Sequence, residues 1–239
     1  MGMPITVICV DDEVDATMFE EVFNFFREID ARYSPYIATS DVSKINRGEL
    51  AATNYSQELR TILELAETTK RQTNGYFDVW HKDIFDPSGI VKGWAIQKAA
   101  DLLKKRSNNF YVEAGGDIQV YGHSPSRQPW QIGVRNPFDR TQMIATIRLA
   151  DGGIATSGTA IRGQHIYNPH TDAALEDTVS ISVVGPRIVD ADRFATAAFA
   201  MGKKGIAYIM SLPGYEGYAV DRHGIATMTP GWQEYEMKS

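Results

Sequence analysis

The chain opens on an almost wholly apolar run, Ile5-Thr6-Val7-Ile8-Cys9-Val10, which predicts a buried strand over 5–10. The period then changes. Met18, Phe19, Val22, Phe23, Phe26 and Ile29 share one stripe at i, i+4, i+7 spacing and predict an amphipathic helix over 15–32. Leu59, Ile62, Leu63 and Ala66 repeat the stripe over 56–73, and Ala95, Ile96, Ala99, Leu102 and Leu103 repeat it over 92–106. From residue 110 onward short runs dominate. Strands are expected at 110–114, 117–122, 130–135, 143–149, 179–184, 217–220 and 225–228, with Gly, Pro, Asn and Asp in the gaps. One alanine-rich helix, 192–201, interrupts them, and a shorter helix follows to Leu212. Strands and helices do not alternate, which disfavours a doubly wound sheet. The pattern predicts an α+β fold with mainly antiparallel sheets, organised as a single domain over 1–239.

Composition narrows the function classes. The 239 residues are 43% hydrophobic and 23% charged, globular proportions that exclude disorder, collagen and coiled coil. Net charge is −6, and no basic run exceeds Lys104-Lys105-Arg106, so no nucleic-acid partner is expected. Cys9 is the single cysteine and stands among apolar neighbours, which excludes a disulfide framework and suggests an inert strand residue. No stretch approaches the roughly 20 apolar residues of a membrane span, and no basic, apolar leader precedes residue 5. A soluble, cytoplasmic chain without membrane insertion is the expectation.

Five segments are unusual for a chain that only needs to fold. Gly75-Tyr76-Phe77-Asp78 follows a helix and reads either as a helix stop with core aromatics or as an aromatic face for a planar ligand. Asp86-Pro87-Ser88-Gly89-Ile90-Val91-Lys92-Gly93 leads into a helix. It suits a capped turn, or phosphates at a helix N-terminus, although it lacks the glycine spacing of a Walker loop. Glu113-Ala114-Gly115-Gly116-Asp117 is a hairpin turn or a place where a ligand approaches the backbone. Gly152-Gly153-Ile154-Ala155-Thr156-Ser157-Gly158 offers hydroxyls and backbone donors, and His165-Ile166-Tyr167-Asn168-Pro169 sets a histidine among polar neighbours. Finally, Asp192 and Thr196 are four apart on one helix face. They are either an N-cap with an ordinary threonine, or two hard oxygen ligands for magnesium or calcium.

The order of these segments is more specific than any one of them. Ser40…Ser43-Lys44-Ile45-Asn46, Gly-Tyr-Phe-Asp, Asp-Pro-Ser-Gly-Ile-Val-Lys-Gly, Glu-Ala-Gly-Gly-Asp-Ile, Ala-Thr-Ser-Gly, His-Ile-Tyr-Asn-Pro and Ala-Asp-x-x-x-Thr follow one another along nearly the whole chain. The set resembles the ApbE family of FAD:protein FMN transferases. That resemblance implies an ApbE-like fold and a magnesium-dependent transfer of FMN from FAD to a Thr or Ser hydroxyl of an acceptor flavoprotein, with release of AMP. It further implies that Asp192, Thr196 and the carbonyl of Gly89 hold Mg2+, and that Asp86 and Lys92 lie near the FAD. Tyr76 would sit against the adenosine part. Met1, Gly115, Gly116, Asp117, Thr156, Ser157 and Gly158 would line the rest of the site. His165, with Asp192, would be catalytic, His165 as the base that deprotonates the acceptor hydroxyl.

Three departures stand out. Only seven residues separate Asp78 from Asp86, where relatives usually carry a longer stretch, and Trp80 and His81 would supply the missing wall. Met3 and Asp172 replace the usual threonine and glycine. Asp151-Gly152-Gly153-Ile154-Ala155-Thr156 begins like the family's acceptor motif and then breaks, so self-flavinylation is not expected. Two other readings remain compatible with the motifs: a magnesium-dependent FAD pyrophosphatase, with water in place of the acceptor, and a non-catalytic FAD-binding protein.

Overall fold

The structure is a computed structural model that describes residues 2–11, 14–159, 168–171, 175 and 177–237. The first part of the chain gives β1 (Ile5–Cys9), α1 (Ala16–Tyr33), α2 (Asp41–Asn46) and α3 (Gln57–Gln72). A small hairpin, β2 (Trp80–His81) and β3 (Ile84–Phe85), precedes α4 (Ser88–Leu103). Five strands follow: β4 (Phe110–Ala114), β5 (Asp117–Tyr121), β6 (Trp130–Arg135), β7 (Met143–Leu149) and β8 (Gly152–Gly158). The remainder is β9 (Thr178–Gly185), α5 (Ile188–Ala200), α6 (Gly205–Met210), β10 (Glu216–Asp221), β11 (Ala226–Met228) and α7 (Trp232–Tyr235).

Seven strands form one sheet in the order β1-β4-β5-β8-β9-β10-β11, and every neighbouring pair is antiparallel. The expected α+β class is what forms. One face shares a core with α1, α3, α4 and α5 through Phe26, Ile62, Ile96, Val112, Ile181, Val183 and Phe199. The other face packs on the β6–β7 hairpin and α7 through Ile118, Val120, Trp130, Ile147, Val184 and Trp232. The interior strand β9 is therefore covered on both sides, which is why Val183-Val184 continues where a half-exposed strand would alternate. Among the described residues no helix is long and apolar enough to cross a membrane.

The two helices that carry the candidate chemistry begin earlier than their periodicity suggests. The helix expected over 92–106 starts at Ser88, and the one expected over 192–201 starts at Ile188. Neither has a side-chain N-cap of its own. The N–H of Ile188 donates instead to Gln119 Oε1 at 2.8 Å, so a strand side chain closes the start of α5. Asp192 is consequently in the second turn, and the N-cap alternative for it is corrected. Four elements were not expected: α2, the β2–β3 hairpin, β8 and α7. In β8 the glycines serve packing, since a Cβ on Gly153 would lie 2.7 Å from Ile188 Cα.

Candidate functional site

Alternation along β5 sets the site. Ile118 and Val120 point to the hairpin side, so Asp117 and Gln119 point toward the helices, two polar residues on a face that is otherwise apolar. Asp117 is delivered there by the β4–β5 turn, where Gly115 and Gly116 take φ of +62° and +95°, a conformation that favours glycine at both positions. The hairpin alternative for this pair holds.

Asp117 is 1% exposed, and both its oxygens are engaged. Oδ1 accepts the backbone N–H of Thr156 at 3.0 Å, and Oδ2 lies 2.6 Å from Lys92 Nζ. The same ammonium is 3.6 Å from Asp192 Oδ1. Asp192 Oδ2 accepts the N–H of Gly93 at 2.7 Å. In a regular helix that N–H would be aimed at the carbonyl of Gly89, four residues back. Burial pushes the Asp192 carboxyl up to about 7, against the pull of Lys92, and the neighbouring Asp117 adds to the rise.

One turn beyond Asp192, Thr196 Oγ1 is 3.3 Å from Ser157 Oγ on β8. Gly89 sits against the same threonine, because a Cβ there would lie 3.4 Å from Thr196 Cγ2 and 3.3 Å from Phe77. Asp192 Oδ1 therefore stands beside Lys92, and one turn on Thr196 meets the Ser157 hydroxyl with Gly89 packed on its methyl. Hard oxygen donors in small number fit a magnesium-class cation that completes its shell with water or phosphate oxygens. Among the described residues no group of three or more His, Cys, Asp or Glu could hold a metal ion by itself.

Other candidates are placed around this centre. Asp86 is exposed, and its Oδ1 accepts the N–H of Ser88 at 2.9 Å, turning the chain into α4. Asn46 fixes the approach to that turn by pairing its carboxamide with the backbone of Phe85, at 2.9 and 2.8 Å. Tyr76 is half-buried and meets His170 edge-on, with ring centroids 4.5 Å apart. Ser157 faces the helices and Thr156, its neighbour in the strand, faces away: Thr156 Oγ1 is 2.8 Å from Ser182 Oγ. Thr156 therefore brings its N–H to the cluster and not its hydroxyl. Gly158 ends β8. Trp80 and Ile84 are 43% and 55% exposed on the β2–β3 hairpin. Met1 and His165 lie outside the described residues, as does Asp172. Sequence reasoning passed over Gln119 and His170. The buried polar side of β5 was the available signal for the first, and nothing local marked the second.

The ApbE family model matches residues 1–85 and 81–219. The FAD:protein FMN transferase of Vibrio cholerae serotype O1 is 32% identical over 130 residues, 50% of this chain and 39% of that protein. The Chlamydia pneumoniae enzyme of the same name is 26% identical over 79% of this chain and 78% of its own length. The chain spans less than half the length of several such relatives, 46% for the one from Escherichia coli K12. Among solved structures, the ApbE protein of Thermotoga maritima superposes with a TM-score of 0.88 at 21% identity, covering 99% of this chain and 97% of that one. The flavin transferase ApbE from Vibrio cholerae gives 0.85 at 21% identity over 98% and 96%. At such identities these superpositions establish a shared fold.

Proposed function

The chain belongs to the ApbE family, and on that premise we propose that it transfers the FMN half of FAD to a Thr or Ser hydroxyl of an acceptor protein, magnesium-dependently, releasing AMP. The observation that carries this reading is the convergence of Asp192, Thr196, Ser157 and Gly89 beside the Lys92–Asp117 pair. The reaction forms a bond from the acceptor oxygen to the FMN phosphorus and breaks the bond to the bridging oxygen, which leaves on AMP. Its demand is for positive charge on the phosphate oxygens and for removal of one proton from the hydroxyl.

Magnesium bound by Asp192 Oδ1, Thr196 Oγ1 and the Gly89 carbonyl would neutralise pyrophosphate charge. Lys92 adds a second positive centre from the same side. Tyr76 and Asp86 would orient the nucleotide, and the turn at Gly115-Gly116 would let it approach the backbone. The proton from the acceptor goes to His165, the base expected from the motif.

The test is incubation with FAD and Mg2+, with and without a fusion protein carrying the family acceptor motif, followed by in-gel flavin fluorescence and AMP release. Labelled acceptor, lost in EDTA and in Asp192→Ala, is the expected result. AMP without label would move the reading to FAD hydrolysis. Bound FAD with neither signal would leave a flavin-binding protein.

A further inference from the structure

Asp117 is a buried carboxylate whose two oxygens are already committed within the protein. It has no oxygen turned outward to a nucleotide, so lining the ligand does not account for it. Its geometry concerns Lys92. The ammonium pairs with two neighbouring carboxylates, at 2.6 Å from Asp117 Oδ2 and a full ångström further, 3.6 Å, from Asp192 Oδ1. Asp117 is itself anchored, since its other oxygen takes the Thr156 N–H of β8.

We infer that Asp117 is a positioning residue that holds the Lys92 ammonium off Asp192 and so keeps Asp192 Oδ1 open to a divalent cation. This rests on the reading of Asp192 as a cation ligand. A 2.6 Å ion pair outweighs a 3.6 Å one in the same buried space, so with Asp117 in place the lysine stays where it is. Without that carboxylate, Asp192 is the next acidic group in reach. The lysine closes on it, and an incoming cation must displace a protein ammonium. Lys92 then competes with the metal instead of assisting it. Second-sphere partners of this kind typically alter metal affinity 10–100-fold.

A simpler account must be separated from this one. Replacing Asp117 by Asn also removes a negative charge, which weakens cation binding through the field alone, whether or not Lys92 moves. The two accounts differ in a double-mutant cycle. Mn2+ serves as the probe, titrated into the nucleotide-free protein and read by electron paramagnetic resonance of the free ion, in wild type, Asp117→Asn, Lys92→Met and the double variant. Asn keeps an acceptor for the Thr156 N–H. Asp117→Ser repeats the cycle if the Asn protein does not fold.

The expected result is a loss of about 10–100-fold in Mn2+ affinity for Asp117→Asn alone. In the Lys92→Met background the same substitution should change affinity by less than about threefold. An equal loss in both backgrounds, or no loss in either, overturns the positioning role. Asp192→Ala is the separate control. If wild type binds Mn2+ and Asp192→Ala does not, a failed cycle removes only the role of Asp117. If wild type binds no Mn2+, the cation-site reading falls, and this inference falls with it.

Discussion

Gly93 and Asp192 meet where α4 crosses α5, the glycine N–H donating to the carboxylate at 2.7 Å and the two backbones too close for a side chain between them. A Cβ on Gly93 would lie 2.6 Å from Asp192 Cβ and 3.1 Å from the Ile188 carbonyl. Neither neighbour is the free end of a flexible chain. Gly93→Ala should therefore cost about 2–3 kcal/mol by overpacking. It should also blunt any Mg2+-induced rise in stability, because Asp192 is what must move. Urea denaturation with and without Mg2+ reads both effects, and an Ala variant as stable as wild type would refute the packing argument.

Gln119 closes α5 from a neighbouring strand, a duty that falls to a local Ser or Asp in most helices. Gln119→Met keeps the shape and removes the acceptor, leaving the Ile188 N–H buried without it. The expected loss is about 1–3 kcal/mol. Amide exchange at Ile188 and Val189 should accelerate more than exchange at the far end of the helix.

Asp11 joins the end of β1 to the loop after α4. Its Oδ2 accepts from Ser107 Oγ and from the N–H groups of Asn108 and Asn109, and its Oδ1 accepts from Asn109 Nδ2. The Asn109 side chain foremost, with these other donors, holds its pKa below the ordinary carboxylate value of 3.8. The stabilisation is thus full above the unfolded pKa and disappears as pH falls through the lower folded one. Asp11→Asn should cost about 1 kcal/mol at neutral pH, since solvent screens this partly exposed position. Its urea midpoint should also fall less than that of wild type between pH 4 and pH 2.5.

Trp232 is wholly buried in the one-turn helix α7, against Tyr218 with ring centroids 5.3 Å apart. It closes the core between the large sheet and the β6–β7 hairpin. Trp232→Ala should lose about 3–5 kcal/mol. The lesion lies on the sheet face away from the Lys92–Asp117–Asp192 cluster, so Mn2+ affinity of the folded fraction should stay at the wild-type value.

Periodicity located the long helices well: Met18, Val22, Phe26 and Ile29 of the first predicted stripe are all buried, while Phe19 and Phe23 flank it. Motif order identified the family, and the resemblance grouped Asp192, Thr196 and Gly89 as a cation set while it put Lys92 with Asp86 near the FAD. The starts of α4 and α5 were not legible, because the signal for a helix start is a capping side chain and Pro87 and Arg187 supply none. The cap of α5 is Gln119, 69 residues away. Nor did β8 read as a strand, since glycines required by close neighbours, Ile188 at Gly153 and the Gly185 carbonyl at Gly152, mimic a loop. The Lys92–Asp117 bond had no local trace either. It depends on which face of β5 is covered by α4, which is a property of the assembled layers.

Gly93 and Asp192 are separated by 99 positions in the chain, and this has a consequence for how the protein comes into being. Contacts of such separation form late, after the intervening strands have paired and the cost of closing a long loop has been met. During synthesis, a nascent chain that ends before α5 has Lys92 and Asp117 in hand but no Asp192 to complete the cluster. On the proposed reading the cation ligand Asp192 would join the lysine–carboxylate pair only when α5 docks, so a chain arrested before α5 would hold that pair without the cation site.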